Sequence, residues 1–128
     1  MSWNPKNYLT AVVALMVGGM LVDWVAHRLT TINEQSVVQL LLAHGLMYAA
    51  PIMLVIPWFR GVQGRARLAT LVSLVGGGMG IAGGAGDAWE HLHAGGPPFG
   101  HLLLNVSLAM AIVALLIAAA ADSVPPSE

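Results

Sequence analysis

The stretch LATLVSLVGGGMGIAGGAGDAWEHL, residues 68–92, decides the fold class of this chain. Its apolar part is long enough for a transmembrane helix, which needs roughly 20 mostly apolar residues, yet the stretch ends on two acids and a histidine. Ionisable side chains in such a segment are costly and usually face the protein interior, where they mark a functional site. The stretch therefore predicts a membrane helix whose last turns contribute to a polar site.

The composition of the whole chain agrees with a membrane protein. Of its 128 residues, 57% are hydrophobic and only 9% are charged, whereas a water-soluble domain normally carries about 25% charged residues. A formal net charge of −1 without a basic cluster excludes nucleic acid as a partner, because such binding requires Lys and Arg to neutralise phosphates. The chain has no cysteine, so a metal site must use His, carboxylate, Asn, Met or backbone oxygen.

Four apolar segments are predicted to cross the bilayer, within a single membrane domain of residues 1–128. They are residues 8–26, 37–59, 68–92 and 101–121. The separators between them are short, and short connections make neighbouring helices antiparallel. The predicted fold class is therefore all-α: an integral membrane bundle of four transmembrane helices.

The basic residues predict the orientation of this bundle. Lys6, Arg60, Arg65 and Arg67 lie on one side of the predicted spans, and Arg28 alone lies on the other. Because cytoplasmic loops are enriched in Lys and Arg, both termini are expected in the cytoplasm, in a bacterial inner membrane. The loops after the first and third spans then face the extracytoplasmic side.

Glycines are concentrated in the third span, with seven of them between Gly76 and Gly86. Gly76, Gly80 and Gly84 have the GxxxG spacing that lets helix backbones approach closely in lipid. A phosphate-binding glycine loop is the less favoured interpretation, because the stretch lies inside a span rather than after a strand. The third span is therefore expected to be the most enclosed.

Two segments share an arrangement of acid and histidine. GGMLVDWVAH, residues 18–27, and GGAGDAWEH, residues 83–91, each contain a glycine pair, an Asp, a Trp and a His four positions after the Asp. Residues four apart lie on one face of a helix, so the Asp and the His of each pair can act on one ion. The similarity predicts a two-fold internal repeat, in which helices 1–2 correspond to helices 3–4 and both pairs lie at one membrane face.

The helices that follow each pair add further candidate ligands. His44 lies in the second span, and His101 begins the fourth. In the proposed repeat, the best sequence match places Gln39 opposite His101, whereas the ligand chemistry favours His44. Which of the two corresponds to His101 stays open. The predicted metal ligands are Asp23, His27, His44, Asp87, His91 and His101. Extra ligands or supporting residues are predicted among Glu90, His93, Asn105 and Tyr48. Imidazole and carboxylate suit copper, zinc, iron or nickel more than calcium or magnesium.

Three functions are compatible with this constellation. The favoured one is a small membrane protein with a mononuclear or dinuclear metal site near the extracytoplasmic face, used for redox chemistry or metal handling. The alternatives are a b-type haem or quinone-associated anchor, and a metal-free accessory subunit whose polar cluster passes protons or ions. The expected partners are the lipid bilayer and either further copies of the chain or a larger membrane complex. His93 and Glu90 also have a simpler interpretation, as a solvated helix-end histidine and an exposed loop acid.

The order of an Asp, a His four residues later and a His at the start of the next helix resembles the copper-binding segments of the C subunit of particulate methane and ammonia monooxygenases. The matching residues are Asp23, His27 and His44, then Asp87, His91 and His101, with Asn105 as an extra ligand. The resemblance is confined to these motifs. It implies copper as the favoured metal more than it implies a reaction. Zinc or iron, which the ligand types also suit, are the alternatives. If the protein is an enzyme, a membrane metal-dependent oxidoreductase is expected.

Overall fold

A computed structural model describes residues 3–29, 37–64, 66–93 and 99–123, with the backbone alone for residues 37–40, 42 and 43. These residues form five helices and, within the described ranges, no strand. In chain order the helices are α1 (Pro5–Leu29), α2 (Val37–Met53), α3 (Ile56–Phe59), α4 (Ala66–Leu92) and α5 (Phe99–Asp122). The predicted all-α class is confirmed.

Three of these helices are long and apolar enough to cross a membrane. Over their most apolar windows, α1, α4 and α5 have mean hydropathies of 2.0, 1.5 and 2.6. They contain the first, third and fourth predicted spans and extend them by up to three residues. The early start of α1 has a local cause: the Asn4 side chain accepts a hydrogen bond from the Lys6 backbone N–H at 2.8 Å, and Pro5 suits the first helical position.

The second predicted span, residues 37–59, is not one continuous helix in the structure. α2 ends at Met53, and helix resumes only in the single turn of α3. Pro57 has no backbone N–H to donate to the carbonyl four residues earlier, which is that of Met53. The Tyr8 hydroxyl of α1 donates to this carbonyl instead, at 2.9 Å.

The Leu54 carbonyl at the same break also has a partner from another helix. The Trp58 N–H donates to Val55 at 3.2 Å rather than to Leu54, and the Ser73 hydroxyl of α4 donates to the Leu54 carbonyl. Backbone groups at membrane depth must be satisfied inside the protein. Side chains of α1 and α4 therefore replace the bonds that the break removes.

The four longer helices form a bundle around a shared core. α1 packs against α2 and α5, and α4 packs against the same two helices. The core residues are Leu9, Val12, Met16, Ala50, Leu54, Ala69, Ala111, Ala114 and Ala118. Large apolar side chains, among them Leu21, Ile81 and Leu116, are exposed on the outer surface. Such a surface indicates contact with the lipid bilayer.

The glycines of α4 let neighbouring helices approach its backbone. A Cβ atom at Gly80 would lie 2.5 Å from Pro51 Cβ in α2, and one at Gly83 would lie 2.9 Å from the Leu104 backbone nitrogen in α5. In its most apolar window 44% of α4 is buried, compared with 28% for both α1 and α5. The prediction that the glycine-rich span is the most enclosed holds among these three helices.

We expect Gly80→Ala to lower the free energy of unfolding by about 1–3 kcal/mol, because the added methyl group must displace tightly packed atoms of α2. The melting temperature in detergent measures this loss. Gly78→Ala is the matched control, since a Cβ at Gly78 on the same helix meets no heavy atom within 4 Å. Equal melting temperatures for the two variants would contradict the close packing of α4.

Candidate metal centre

Ionisable side chains from all four longer helices meet at one end of the bundle. Asp23 and Asp87 lie about one and a half turns before the ends of α1 and α4, and His44 lies about two turns into α2. His101 lies in the first turn of α5. The structure thus brings together all six residues that the sequence predicts as metal ligands.

The Asp23 carboxylate has three histidine neighbours from three helices. Its Oδ1 lies 2.6 Å from His44 Nε2 and 3.1 Å from His27 Nε2. Its Oδ2 lies 3.6 Å from His101 Nε2. Asp23 retains only 7% of its accessible surface, so these imidazoles take the place of water around the carboxylate.

The Asp87 carboxylate is fully buried and has a similar set of neighbours. Its Oδ1 lies 2.6 Å from His101 Nδ1, and its Oδ2 lies 3.8 Å from His91 Nε2 and 4.0 Å from His44 Nε2. The Tyr48 hydroxyl donates a hydrogen bond of 2.6 Å to Oδ2. His101 therefore lies between the two carboxylates, with one ring nitrogen directed to each.

The imidazoles of His27, His44 and His91 surround one point between α1, α2 and α4. One ring nitrogen from each lies within 4.8 Å of the other two, and the ring centroids are separated by 5.5, 5.3 and 4.7 Å. Three imidazoles on one tetrahedral ion, with metal–nitrogen distances of about 2.0–2.1 Å, place their centroids about 5 Å apart. These three side chains could hold a metal ion.

Several nitrogens of this group are buried without a hydrogen bond. Both ring nitrogens of His27 and both of His91 lack hydrogen-bond geometry to any residue in the described ranges, although His27 Nε2 lies 3.1 Å from Asp23 Oδ1. Leaving one such group unsatisfied costs about 1–3 kcal/mol. A cation between the rings would satisfy one nitrogen on each histidine, so the donor set fits a metal ion.

The four residues predicted as extra ligands or supports have different positions. Tyr48 contacts Asp87, as described above, and its ring stacks on His44. Two further groups have ligand atoms within 4.8 Å of one another: Glu90 belongs to one of them, with Asp87 and His101, and the other consists of Asp23, His27 and His101. Asn105 is exposed, and its role as a ligand stays a prediction. His93 is exposed and stacks on Trp89 with ring centroids 3.8 Å apart, outside the ligand groups of the described residues.

Arg28 is the arginine or lysine nearest in sequence to Asp23, but within the described ranges it forms no ion pair with the buried acids. Its guanidinium lies over the Trp24 ring, 5.1 Å from the centroid. Among the described residues, the ion-pair partners of Asp23 and Asp87 are all histidines. The charge balance of the cluster therefore depends on imidazole protons or on a bound cation.

Gly100 also contributes to the site, and the sequence analysis did not select it. A Cβ at this position would lie 2.6 Å from Asp87 Cα, so the glycine lets the first turn of α5 contact α4 directly. This contact brings the adjacent His101 against the Asp87 carboxylate. The glycine before a ligand histidine in PPFGH was the available signal.

The cluster therefore offers four imidazoles and three carboxylates to an ion or to mobile protons. No family model matches the chain, and neither a curated protein nor a solved structure matches it.

Proposed function

We propose that the chain is an integral membrane protein that binds one transition-metal ion through His27, His44 and His91. The observation that carries this proposal is the three-imidazole group, with centroid separations of 4.7–5.5 Å and buried nitrogens on two of the rings that lack hydrogen bonds. Metal-bound histidines are neutral. The two carboxylates then balance a divalent ion, which keeps the buried site near zero net charge.

Copper is the metal we propose for this site. Imidazole ligands accept copper, zinc, iron and nickel, and copper binds most strongly in the divalent series. The resemblance of the Asp–His–His motifs to the copper-binding segments of the monooxygenase C subunit favours the same ion. Redox chemistry or copper handling is the proposed use of the site.

A haem fits this arrangement less well than a single ion. The His27 and His91 rings stack 5.3 Å apart with an interplanar angle of 18°, and His44 lies 4.7 Å from His91. Two axial histidines of a haem would have about 6 Å between their centroids, with the macrocycle between them. The rings of His27, His44 and His91 are too close to one another to admit it. His101 lies 6.0 and 6.3 Å from His27 and His91, but its two ring nitrogens face Asp87 and Asp23 rather than another imidazole.

We also propose that residues 37–59 form the fourth crossing despite the break at Leu54. At about 1.5 Å per residue they cover roughly 35 Å, compared with a hydrocarbon core of about 30 Å. The hydrogen bonds from Tyr8 and Ser73 to the carbonyls at the break support this proposal, because they meet the requirement for satisfied backbone groups in lipid.

The buried positions of α1 and α4 support the proposed two-fold repeat. Shifting α1 by the separation between Asp23 and Asp87 superposes each of its buried positions on a buried position of α4. Leu9, Val12, Met16 and Gly19 fall in this way on Ser73, Gly76, Gly80 and Gly83. The same residues of each helix therefore face the bundle interior.

The register of α2 against α5 favours His44, rather than Gln39, as the counterpart of His101. With His44 aligned to His101, four buried residues of the second span superpose on buried residues of α5. Met47 falls on Leu104, Ala50 on Ser107, Leu54 on Ala111 and Pro57 on Ala114. With Gln39 aligned, Met47, Ala50 and Leu54 fall on Ala109, Ile112 and Leu116, which are exposed. The side chain of Gln39 itself lies outside the described residues.

The proposed orientation places the metal site at the extracytoplasmic face of a bacterial inner membrane. Lys6 and Asp122 form an ion pair of 2.6 Å at the opposite end of the bundle, which joins the start of α1 to the end of α5. Arg60 and Arg67 flank the connection between α3 and α4 at that end. This concentration of basic residues supports a cytoplasmic location for it.

We expect purified protein in detergent to retain about one copper ion per chain after loading and desalting, and His91→Ala to weaken binding by at least about tenfold. Elemental analysis against protein concentration measures both. His93→Ala is the matched control, because His93 is two residues away but stacks on Trp89, and this variant should bind like the wild type. A wild-type protein that binds no metal would refute the proposed function.

Competition between metals tests the choice of copper. Copper should displace zinc from the loaded protein, in the order of divalent affinities, and X-ray absorption should give three nitrogen neighbours at about 2.0 Å. Retention of zinc in the presence of equimolar copper would show that copper is not the preferred metal.

Cysteine labelling tests the orientation, because the chain has no cysteine of its own. His93→Cys and Gln63→Cys place single thiols on exposed residues at opposite ends of the bundle. With a membrane-impermeant maleimide on intact cells, the thiol at position 93 should react, whereas that at position 63 should require permeabilised cells. The reverse pattern would invert the proposed topology.

A further inference from the structure

Glu90, Asp87 and His101 form a further ligand group beside the three imidazoles. One ligand atom from each residue lies within 4.8 Å of the other two. The His101 side chain is 39% exposed, whereas those of His27, His44 and His91 are 19%, 0% and 6% exposed. His101 is thus the most accessible histidine of the cluster. It forms an outer layer with the half-buried Glu90, and the other three imidazoles form an inner layer.

The backbone of α5 holds the Glu90 carboxylate in place. Gly100 donates its backbone N–H to Glu90 Oε1 at 3.1 Å, and the same glycine lies directly against Asp87. Anions are favoured at a helix N-terminus, so the start of α5 fixes one oxygen of this carboxylate. The other oxygen of the Glu90 carboxylate, Oε2, takes no part in that hydrogen bond.

Asp87 belongs to both layers. Its Oδ1 is buried and lies 2.6 Å from His101 Nδ1, so the contacts of this oxygen are on the side of the outer layer. Its Oδ2 faces His91 and His44. An ion held by Oδ1 would therefore be separated from the three imidazoles by a single carboxylate group.

The proposed repeat gives a reason to treat Glu90 as a functional addition. The separation between Asp23 and Asp87 aligns Glu90 with Ala26, so the first half of the chain has no acid at this position. A carboxylate that served only to complete a symmetric site would have a counterpart. This acid instead lies on one side of the cluster, beside its most exposed histidine.

We infer that Asp87, Glu90 and His101 form an outer cation site, through which a copper ion passes to His27, His44 and His91. This inference depends on the proposed metal binding. Two carboxylates and one imidazole attract a hydrated cation by charge, and a charged cleft raises association rates by about 10- to 1,000-fold. The three inner imidazoles then retain copper through stronger nitrogen coordination.

The test is the rate at which Cu²⁺ loads the metal-free protein in detergent, followed by quenching of tryptophan fluorescence. Glu90→Gln removes the charge but keeps an oxygen that can accept the Gly100 N–H. We expect it to load at least about tenfold more slowly and to reach the wild-type copper content. Asp122→Asn is the control, because it removes an exposed acid at the opposite end of the bundle, and it should load at the wild-type rate.

A second variant, His101→Asn, should slow loading in the same way, so the inference stays testable if Glu90→Gln fails to fold. Wild-type loading rates in both variants would overturn the outer site. A loss of bound copper at equilibrium in Glu90→Gln, with an unchanged melting temperature, would also overturn it, because Glu90 would then be a ligand of the retained ion. Failure of the wild type to bind copper would instead refute the proposed function.

Discussion

The burial of two carboxylates in an apolar bundle is the constraint on which the rest of this structure depends. Asp23 and Asp87 are 7% and 0% exposed, and an ionised group removed from water is stable only when opposite charge and hydrogen bonds replace its hydration. The described ion-pair partners of these two acids are histidines, contributed by all four longer helices. The acids therefore determine which helix faces turn inward at this end of the bundle.

Close packing of the helices follows from this constraint. The imidazoles lie 2.6–4.0 Å from the carboxylates, which is possible only if the helix backbones are close together. In lipid, burial of apolar surface gives little driving force between helices, and small residues at the interface allow the close approach. Gly19 lies against the Met47 backbone and Gly83 against the Leu104 backbone, each one turn before an aspartate. The glycine-rich character of the chain is thus concentrated where the polar site needs it.

The sequence predicted much of this arrangement because its signals are local. Three of the four spans follow from apolar length, and the pairing of each Asp with the His four residues later follows from the helix period. The break between α2 and α3 was not predicted, although the sequence shows Pro51 and Pro57. The hydroxyl groups that donate to the freed carbonyls belong to Tyr8 and Ser73, which lie on other helices. Such long-range partners have no local sequence pattern.

The position of His101 between the two carboxylates was also beyond sequence reasoning. The sequence treated it as equivalent to the other ligand histidines, but its distances depend on the contact of Gly100 with Asp87. His93 is exposed and stacks on Trp89 instead of joining the cluster. Spacing along the chain places both histidines near the cluster, and tertiary packing decides which one joins it.

Differences between the two halves point to a site in which two similar pairs have different tasks. In the register that aligns His44 with His101, Tyr48 corresponds to Asn105: the tyrosine donates to Asp87, whereas the asparagine is exposed. This hydrogen bond occupies Asp87 Oδ2 and favours the use of Oδ1 on the side of His101 and Glu90. Within the described ranges Asp23 receives no such bond, and both of its oxygens lie among imidazoles. Two helices that bury equivalent positions can therefore surround an asymmetric cluster, because the neighbouring side chains decide which oxygen of each acid is available.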